Sequence, residues 1–231
     1  MNAPELSFDA HATVDARASS ASGSARTTDV AWPVFETDDE IFVIRTADEI
    51  LALEADWTRL ADQHARPSHV FQQFGWARQW LASFGGHHTA ADLAVGIARR
   101  DGELILVLPL FVQRIAGARC LKWLGDPVGQ YGDLIVADVP DRLRLISAVF
   151  DAVLGEARAD AIFLQRVRDD ANIRPFLERL GALGTEPNEA PYIDLSGFAS
   201  FEDYDGAMFT RRKQRERKRL RRRLDEMGPV T

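Results

Sequence analysis

The stretch from Leu93 to Asp133 restricts the fold more than any other part of the chain. Its apolar runs are separated by tight turn signals, the pattern of three antiparallel strands laid down in succession. Leu93–Ala98 and Glu103–Val112 flank Arg99-Arg100-Asp101-Gly102, where Asp-Gly supplies the positive-φ residues a tight hairpin requires. Ile115-Ala116-Gly117-Ala118 turns the chain into a third strand, Arg119–Leu124. Leu104 to Leu108 is apolar without alternation, which predicts a strand buried on both faces. Pro109 cannot donate to a sheet ladder, so a bulge or a splayed edge is expected there, either a tolerated kink or an opening for a ligand.

Helices and short strands surround this meander. Residues 1–38 are rich in Ala, Ser, Thr and Asp without a period, and read as a disordered leader. Ile41–Arg45 is a short strand, and Thr46 with Glu49 forms a capping box for a helix carrying Ile50, Leu53, Trp57 and Leu60. A second helix from Gln72 to Phe84 stops at Gly85-Gly86. After Leu134-Ile135-Val136, a helix opens near Asp138 or Pro140 and carries Leu143, Ile146, Val149, Phe150 and Val153. Ala161 to Leu164 reads as a buried strand, and Asn172 starts a helix that Gly181 ends. Leu183–Thr185 and Tyr192–Leu195 are candidate edge strands; from Ser200 the chain is helical to Gly228-Pro229. The fold class expected is mixed α/β, a largely antiparallel sheet flanked by helices.

Charge is distributed unevenly. The chain of 231 residues carries −7, yet Arg211–Arg223 holds ten Arg or Lys and one Glu, a local +9 that leaves −16 for the rest. Such a helix can hold nucleic-acid phosphates, lie on an anionic membrane, or pack Phe209, Leu220 and Leu224 between domains while its arginines face an acidic partner. The acidic remainder favours the third; no aromatic residue interleaves the arginines to stack on single-stranded bases. Cys120 is the single cysteine, which excludes an internal disulfide framework and a cysteine metal cluster and suits a cytoplasmic protein. No apolar run reaches the roughly 18 residues a membrane span needs.

Several motifs occur in a telling order. Phe71, Trp76 and Trp80 approximate Phe-x-x-Trp-x-x-x-Trp on a helix before the hairpin. Arg-x-Gly-x-Leu-x-x-x-Leu-Pro-Leu follows from Arg100 to Leu110, then Leu-Gly-x(4-5)-Tyr-x-Asp at Leu124, Gly125, Tyr131 and Asp133. The basic helix leads into Leu224-x-x-x-Gly228. Together these resemble the CelD/BcsL-like members of the GNAT acetyltransferase superfamily, related in architecture to the FemAB aminoacyl transferases, over residues 41 to 231. The resemblance implies tandem GNAT-like domains and transfer of an acetyl or other acyl group from acetyl-CoA or another acyl-CoA, mainly by the second domain. The acceptor would be an amine or hydroxyl on a small molecule, glycan or peptide, and no metal is implied. The chain departs from the family in lacking a Gln/Arg-x-x-Gly-x-Gly/Ala pyrophosphate loop, where backbone N–H groups would hold the phosphates. The expected division is a GNAT-like domain over 39–197 and a basic linker helix over 198–231 leading to an absent second domain.

Asp126-Pro127-Val128-Gly129-Gln130-Tyr131-Gly132-Asp133 is the best candidate for a functional loop. Asp126 or Asp133 could act as a base and Tyr131 could protonate a leaving thiolate, although glycines and aspartates also serve as turn formers. Substrate contact is preferred over catalysis for Asp126, Tyr131 and Asp133. Arg166 or Arg168, after the 161–164 strand, could grip a carboxylate or phosphate, or simply pair with acids. His87-His88 reads as a surface loop; His64 and His69 lack a nucleophile signature. Trp76 and Trp80 at i, i+4 read as core packing.

Overall fold

The computed structural model describes residues 39–87, 92–182, 184, 189 and 193–228. The expected leader, Leu183, Thr185, Tyr192 and His88 lie outside them. The fold is mixed α/β with a largely antiparallel sheet, as the sequence leads one to expect. Contacts divide the chain into a unit through Arg174 and another from Pro175.

In the first unit the strands are β1 (Glu40–Ile44), β2 (Leu93–Arg100), β3 (Glu103–Ile115), β4 (Ala118–Trp123), β5 (Ile135–Val136) and β6 (Ala161–Ile162). Their order is β1-β2-β3-β4-β6, with β5 also paired to β3; every pairing is antiparallel except β4 with β6. The hairpin turns sit where the sequence puts them, with positive φ at Asp101 and Gly102 and at Ala116 and Gly117. The ladder keeps register at Pro109, opposite Val95, and its irregularity falls at Ala98/Arg99 instead. Pro109 lies where β4 ends and β5 has yet to begin along β3, so its missing N–H breaks no ladder bond. The splay exists; the bulge is elsewhere.

Helices cover both faces of the sheet. On one side lie α1 (Ala47–Ala52), α2 (Glu54–His64) and α3 (Phe74–Phe84), and across the other runs α4 (Arg142–Ala157). The Thr46–Glu49 capping box forms as expected, but Leu53 divides the helix in two, and residues 67–72 make a 3-10 turn before α3. In β2 the large residues Leu93, Val95 and Ile97 join the core under α1–α3 with Trp57, Trp80 and Phe111. The alternate positions Ala94, Gly96 and Ala98 are small and let α4 approach. A Cβ on Gly96 would lie 2.6 Å from Val149 Cγ1 and 2.7 Å from Val153 Cγ2. Gly96→Ala is therefore expected to destabilise the unit by about 2 kcal/mol through overpacking. Adding Val149→Ala should lose less than the two single effects summed, which denaturant unfolding of the double-mutant cycle measures.

One strand departs from expectation. Residues 161–164 were expected to be buried, whereas β6 is a two-residue edge strand with Ile162 and Phe163 exposed. Beyond it comes α5 (Arg174–Arg179). Residues 193–195 form no strand.

In the second unit, α6 (Phe201–Met208) and α7 (Arg211–Met227) meet at a corner, so the helix expected from Ser200 is interrupted at Phe209-Thr210. Tyr204 stacks edge-on against Phe198 and Phe209, Arg217 lies 4.2 Å above the Phe209 ring and pairs with Asp205, and Gln214 Nε2 donates to the carbonyls of Asp205 and Phe209.

Candidate functional site

The parallel pair β4–β6 holds together only briefly. Phe163 N–H donates to the Leu121 carbonyl, and beyond that point no ladder pair joins the two chains among the described residues. The wedge they leave is filled by the loop 124–134. Gly132 N–H donates to the Arg166 carbonyl, which ties the loop to the segment after β6, and Trp123 Nε1 of β4 donates to the Gln165 carbonyl at 3.1 Å across the same place. Two glycines make the packing feasible. A Cβ on Gly132 would lie 2.0 Å from Trp123 Nε1, and one on Gly125 would lie 2.8 Å from Trp76 Nε1. Gly125 of the Leu-Gly-x(4-5)-Tyr-x-Asp motif, and Gly132 at its variable position, thus make room for two indoles.

All four candidate residues converge on this loop. Asp133 is buried beneath it, and its carboxylate accepts from the backbone N–H groups of Asn172 (2.8 Å) and Ile173 (3.0 Å) and from His69 (2.9 Å), with Arg66 at 3.3 Å. His69 Nδ1 accepts from the Arg66 N–H, so the ring proton sits on Nε2 and points at Asp133. Asn172 Nδ2 donates in turn to the Leu134 carbonyl. Asp126 pairs with Lys122, both side chains being nearly buried, and stands 3.8 Å from Arg166. The Arg166 side chain donates to the carbonyls of Pro127 (3.1 Å) and Gly129 (2.7 Å) and clamps the loop from outside while half of it stays in solvent.

Tyr131 is half-buried against Phe71, with the Arg168 guanidinium 5.4 Å from its ring centroid. Arg168 also pairs with Asp170, whose carboxyl it holds below the usual carboxylate range. Of the two tryptophans, Trp80 is a core residue on Phe111, and Trp76 is half-buried on Phe71.

The residue that sequence reasoning missed is His69. Its partner stands 64 positions away, and only a local hydrogen bond to Arg66 sets its tautomer. The polar interior is otherwise small. Gln72 Nε2 donates to the Tyr131 carbonyl, while Gln72 Oε1 is buried without a partner among the described residues. It lines a cavity of 10 Å³ between Phe71, Trp123, Tyr131 and Arg166, with room for about one water. A wider hollow of 590 Å³ lies far from this loop, beside the C-terminus of α4. There Arg45 and Arg119 donate to the carbonyls of Glu156 and Ala157, which is helix-end capping.

The described residues do not fit an acyl-CoA in the wedge. A pantetheine arm needs far more than the room for one water that the cavity offers. A pyrophosphate needs converging N–H donors at a helix start. At the start of α4, Pro140 has no N–H, and the nearby Arg142 and Arg100 are already engaged by Asp138 and Asp141.

No family model matches the chain, and no curated protein sequence matches it. Solved structures do, at low identity. The ribosomal-protein-alanine N-acetyltransferase from Brucella melitensis biovar Abortus 2308 is 12% identical, with 67% of this chain and 99% of that chain covered and a TM-score of 0.41. Glucosamine-6-phosphate N-acetyltransferase from Arabidopsis thaliana is 11% identical over 67% and 99% of the two chains, with a TM-score of 0.39. An aminoglycoside acetyltransferase from an uncultured soil metagenomic sample is 15% identical over 68% and 99%, with a TM-score of 0.43.

Proposed function

We propose that this chain belongs to an acyltransferase of GNAT type that moves an acetyl or other acyl group from acyl-CoA to an amine or hydroxyl. In this reading the first unit is the half that does not hold the donor. The observation that carries the reading is the filled wedge: the parallel pairing of β4 with β6 ends after two residue pairs, and the chain's own loop is bonded to the segment beyond it. The ordered motifs from Trp76 to Gly228 support the family, and the absent pyrophosphate loop supports a donor site elsewhere. Within the candidate loop, Tyr131 and Arg166 keep surface in solvent and are the acceptor contacts proposed here. Asp126 and Asp133 serve by holding the loop that presents them.

The test compares this chain with the longer, donor-binding gene product that this reading calls for. The chain alone is expected to show no thermal shift with acetyl-CoA. The longer product is expected to be stabilised by about 3 kcal/mol at a hundredfold excess over Kd, and to release CoA thiol in an acceptor-dependent manner. Stabilisation of the chain alone would contradict the filled wedge. Absence of both stabilisation and thiol release from the longer product would contradict acyl transfer.

A further inference from the structure

We propose that α7 binds the phosphate backbone of a nucleic-acid duplex through Arg211, Arg212, Arg215, Arg219, Arg222 and Arg223. All six side chains are exposed, and α7 has no buried residue. At 3.6 residues per turn they fall within one arc of about 120° and extend about 18 Å along the helix. Arg219 stands 4.0 Å from Glu216; the other five make no ion pair among the described residues. Arg222 Nε donates to the Lys218 carbonyl at 3.5 Å, and the half-buried Arg217 lies off this arc against Phe209 and Asp205. The arc carries one acid, Glu226, at its C-terminal end, and Glu216 borders it.

The form of this charge selects the partner. A band of guanidinium forks along one side of the helix, each able to bind phosphate oxygens bidentately, suits a linear polyanion. A membrane surface suits it less well. Leu220, Leu224 and Met227 form the exposed apolar stripe, and its centre lies about 130° around the helix from that of the arginines. A flat bilayer reached by the leucines would leave the arginine arc facing water. The arc holds no aromatic side chain to stack on bases, so the contacts are to phosphates and carry no sequence preference. With −16 on the rest of the chain, a polyanion is repelled elsewhere and admitted along this face. This inference is independent of acyl transfer.

The experiment measures binding of the whole 231-residue chain to a labelled 20-base-pair duplex by fluorescence anisotropy between 50 and 200 mM salt. Six neutralised phosphates predict a log–log salt slope of about −5, close to a thousandfold loss of affinity over that range. The triple variant Arg215→Gln, Arg219→Gln, Arg222→Gln keeps helix propensity. It should bind about 100-fold more weakly at 100 mM salt, with a slope smaller by about 3. Lysine at the same three positions should restore binding to within several-fold, and Leu220→Ser with Leu224→Ser should leave it unchanged. The proposal is overturned by absence of binding at 50 mM salt, by equal binding of the glutamine variant, or by tighter binding to phosphatidylserine vesicles or polyglutamate than to the duplex.

Discussion

Asp133→Ala is expected to destabilise the protein by about 4 kcal/mol, a fall in Tm of about 12 °C for a chain of this size. The carboxylate is the shared acceptor for two backbone N–H groups, His69 Nε2–H and Arg66, and these donors come from residues 66–69 and 172–173. Alanine would strand His69 Nε2–H and the Ile173 N–H in the interior, where each unmade hydrogen bond keeps its desolvation penalty, while Arg66 can turn to water. Asp133→Asn keeps the shape and one acceptor oxygen and should recover roughly half of the loss. The measurement is thermal and denaturant unfolding of both variants. A residue that merely contacts substrate would leave the unfolding curve almost unchanged, so near-wild-type stability of Asp133→Ala would return Asp133 to the list of substrate contacts.

Arg100→Ala should cost about 3 kcal/mol. Arg100 donates through Nε and Nη2 to Asp39 at 2.6 and 2.9 Å and through Nη2 to Asp141 at 3.0 Å, joining the start of β1, the end of β2 and the N-cap of α4. Both carboxylates push its pKa up, the Asp39 hydrogen bonds most. The two ends of the bridge are unequal, because the Asp39 side chain is 1% exposed and that of Arg100 is 32% exposed. Removing Arg100 leaves a buried carboxylate alone, whereas Asp39→Asn leaves a guanidinium that water can reach. The arginine variant should therefore shift the urea midpoint about twice as far as the Asp39→Asn variant, with unchanged m-value. Equal shifts would mean that the burial of Asp39 contributes nothing. Arg100 thus gives a structural meaning to the first residue of the Arg-x-Gly-x-Leu motif.

Local chemistry made much of the fold legible. The Asp101-Gly102 and Ala116-Gly117 turns, the Thr46 capping box and the doubly buried Leu104–Leu108 segment all depend on neighbours in sequence, and they stand where expected. The large–small alternation of Leu93, Val95 and Ile97 with Ala94, Gly96 and Ala98 also encodes two faces of unequal depth, although every residue in it is apolar or glycine. What depends on distant partners was hidden. Ala161 to Leu164 looks like an interior strand because its sequence does not state that it is last in the sheet. The Leu53 break and the Phe209-Thr210 corner are set by packing, and neither carries a Gly or Pro to mark it.

The candidate site was legible as a place more than as a mechanism. Gly125, Asp126, Tyr131, Gly132, Asp133 and Arg166 do assemble around one loop. Their roles could not be read locally, since the glycines answer to indoles at Trp76 and Trp123 and the carboxylate answers to His69 and Asn172. A buried, hydrogen-bonded aspartate in a glycine-rich loop has the same local sequence whether it binds a substrate or its own chain.

The most direct test of the filled wedge is amide hydrogen exchange at Gly132, Asn172 and Ile173, with and without acetyl-CoA. The three N–H groups donate to Arg166 and to the two oxygens of Asp133. The account predicts that they exchange only as slowly as global unfolding allows, and that acetyl-CoA added to this chain leaves their rates unchanged. Fast exchange through local opening, slowed when acetyl-CoA is added, would show a loop that yields its place to the donor and would contradict it.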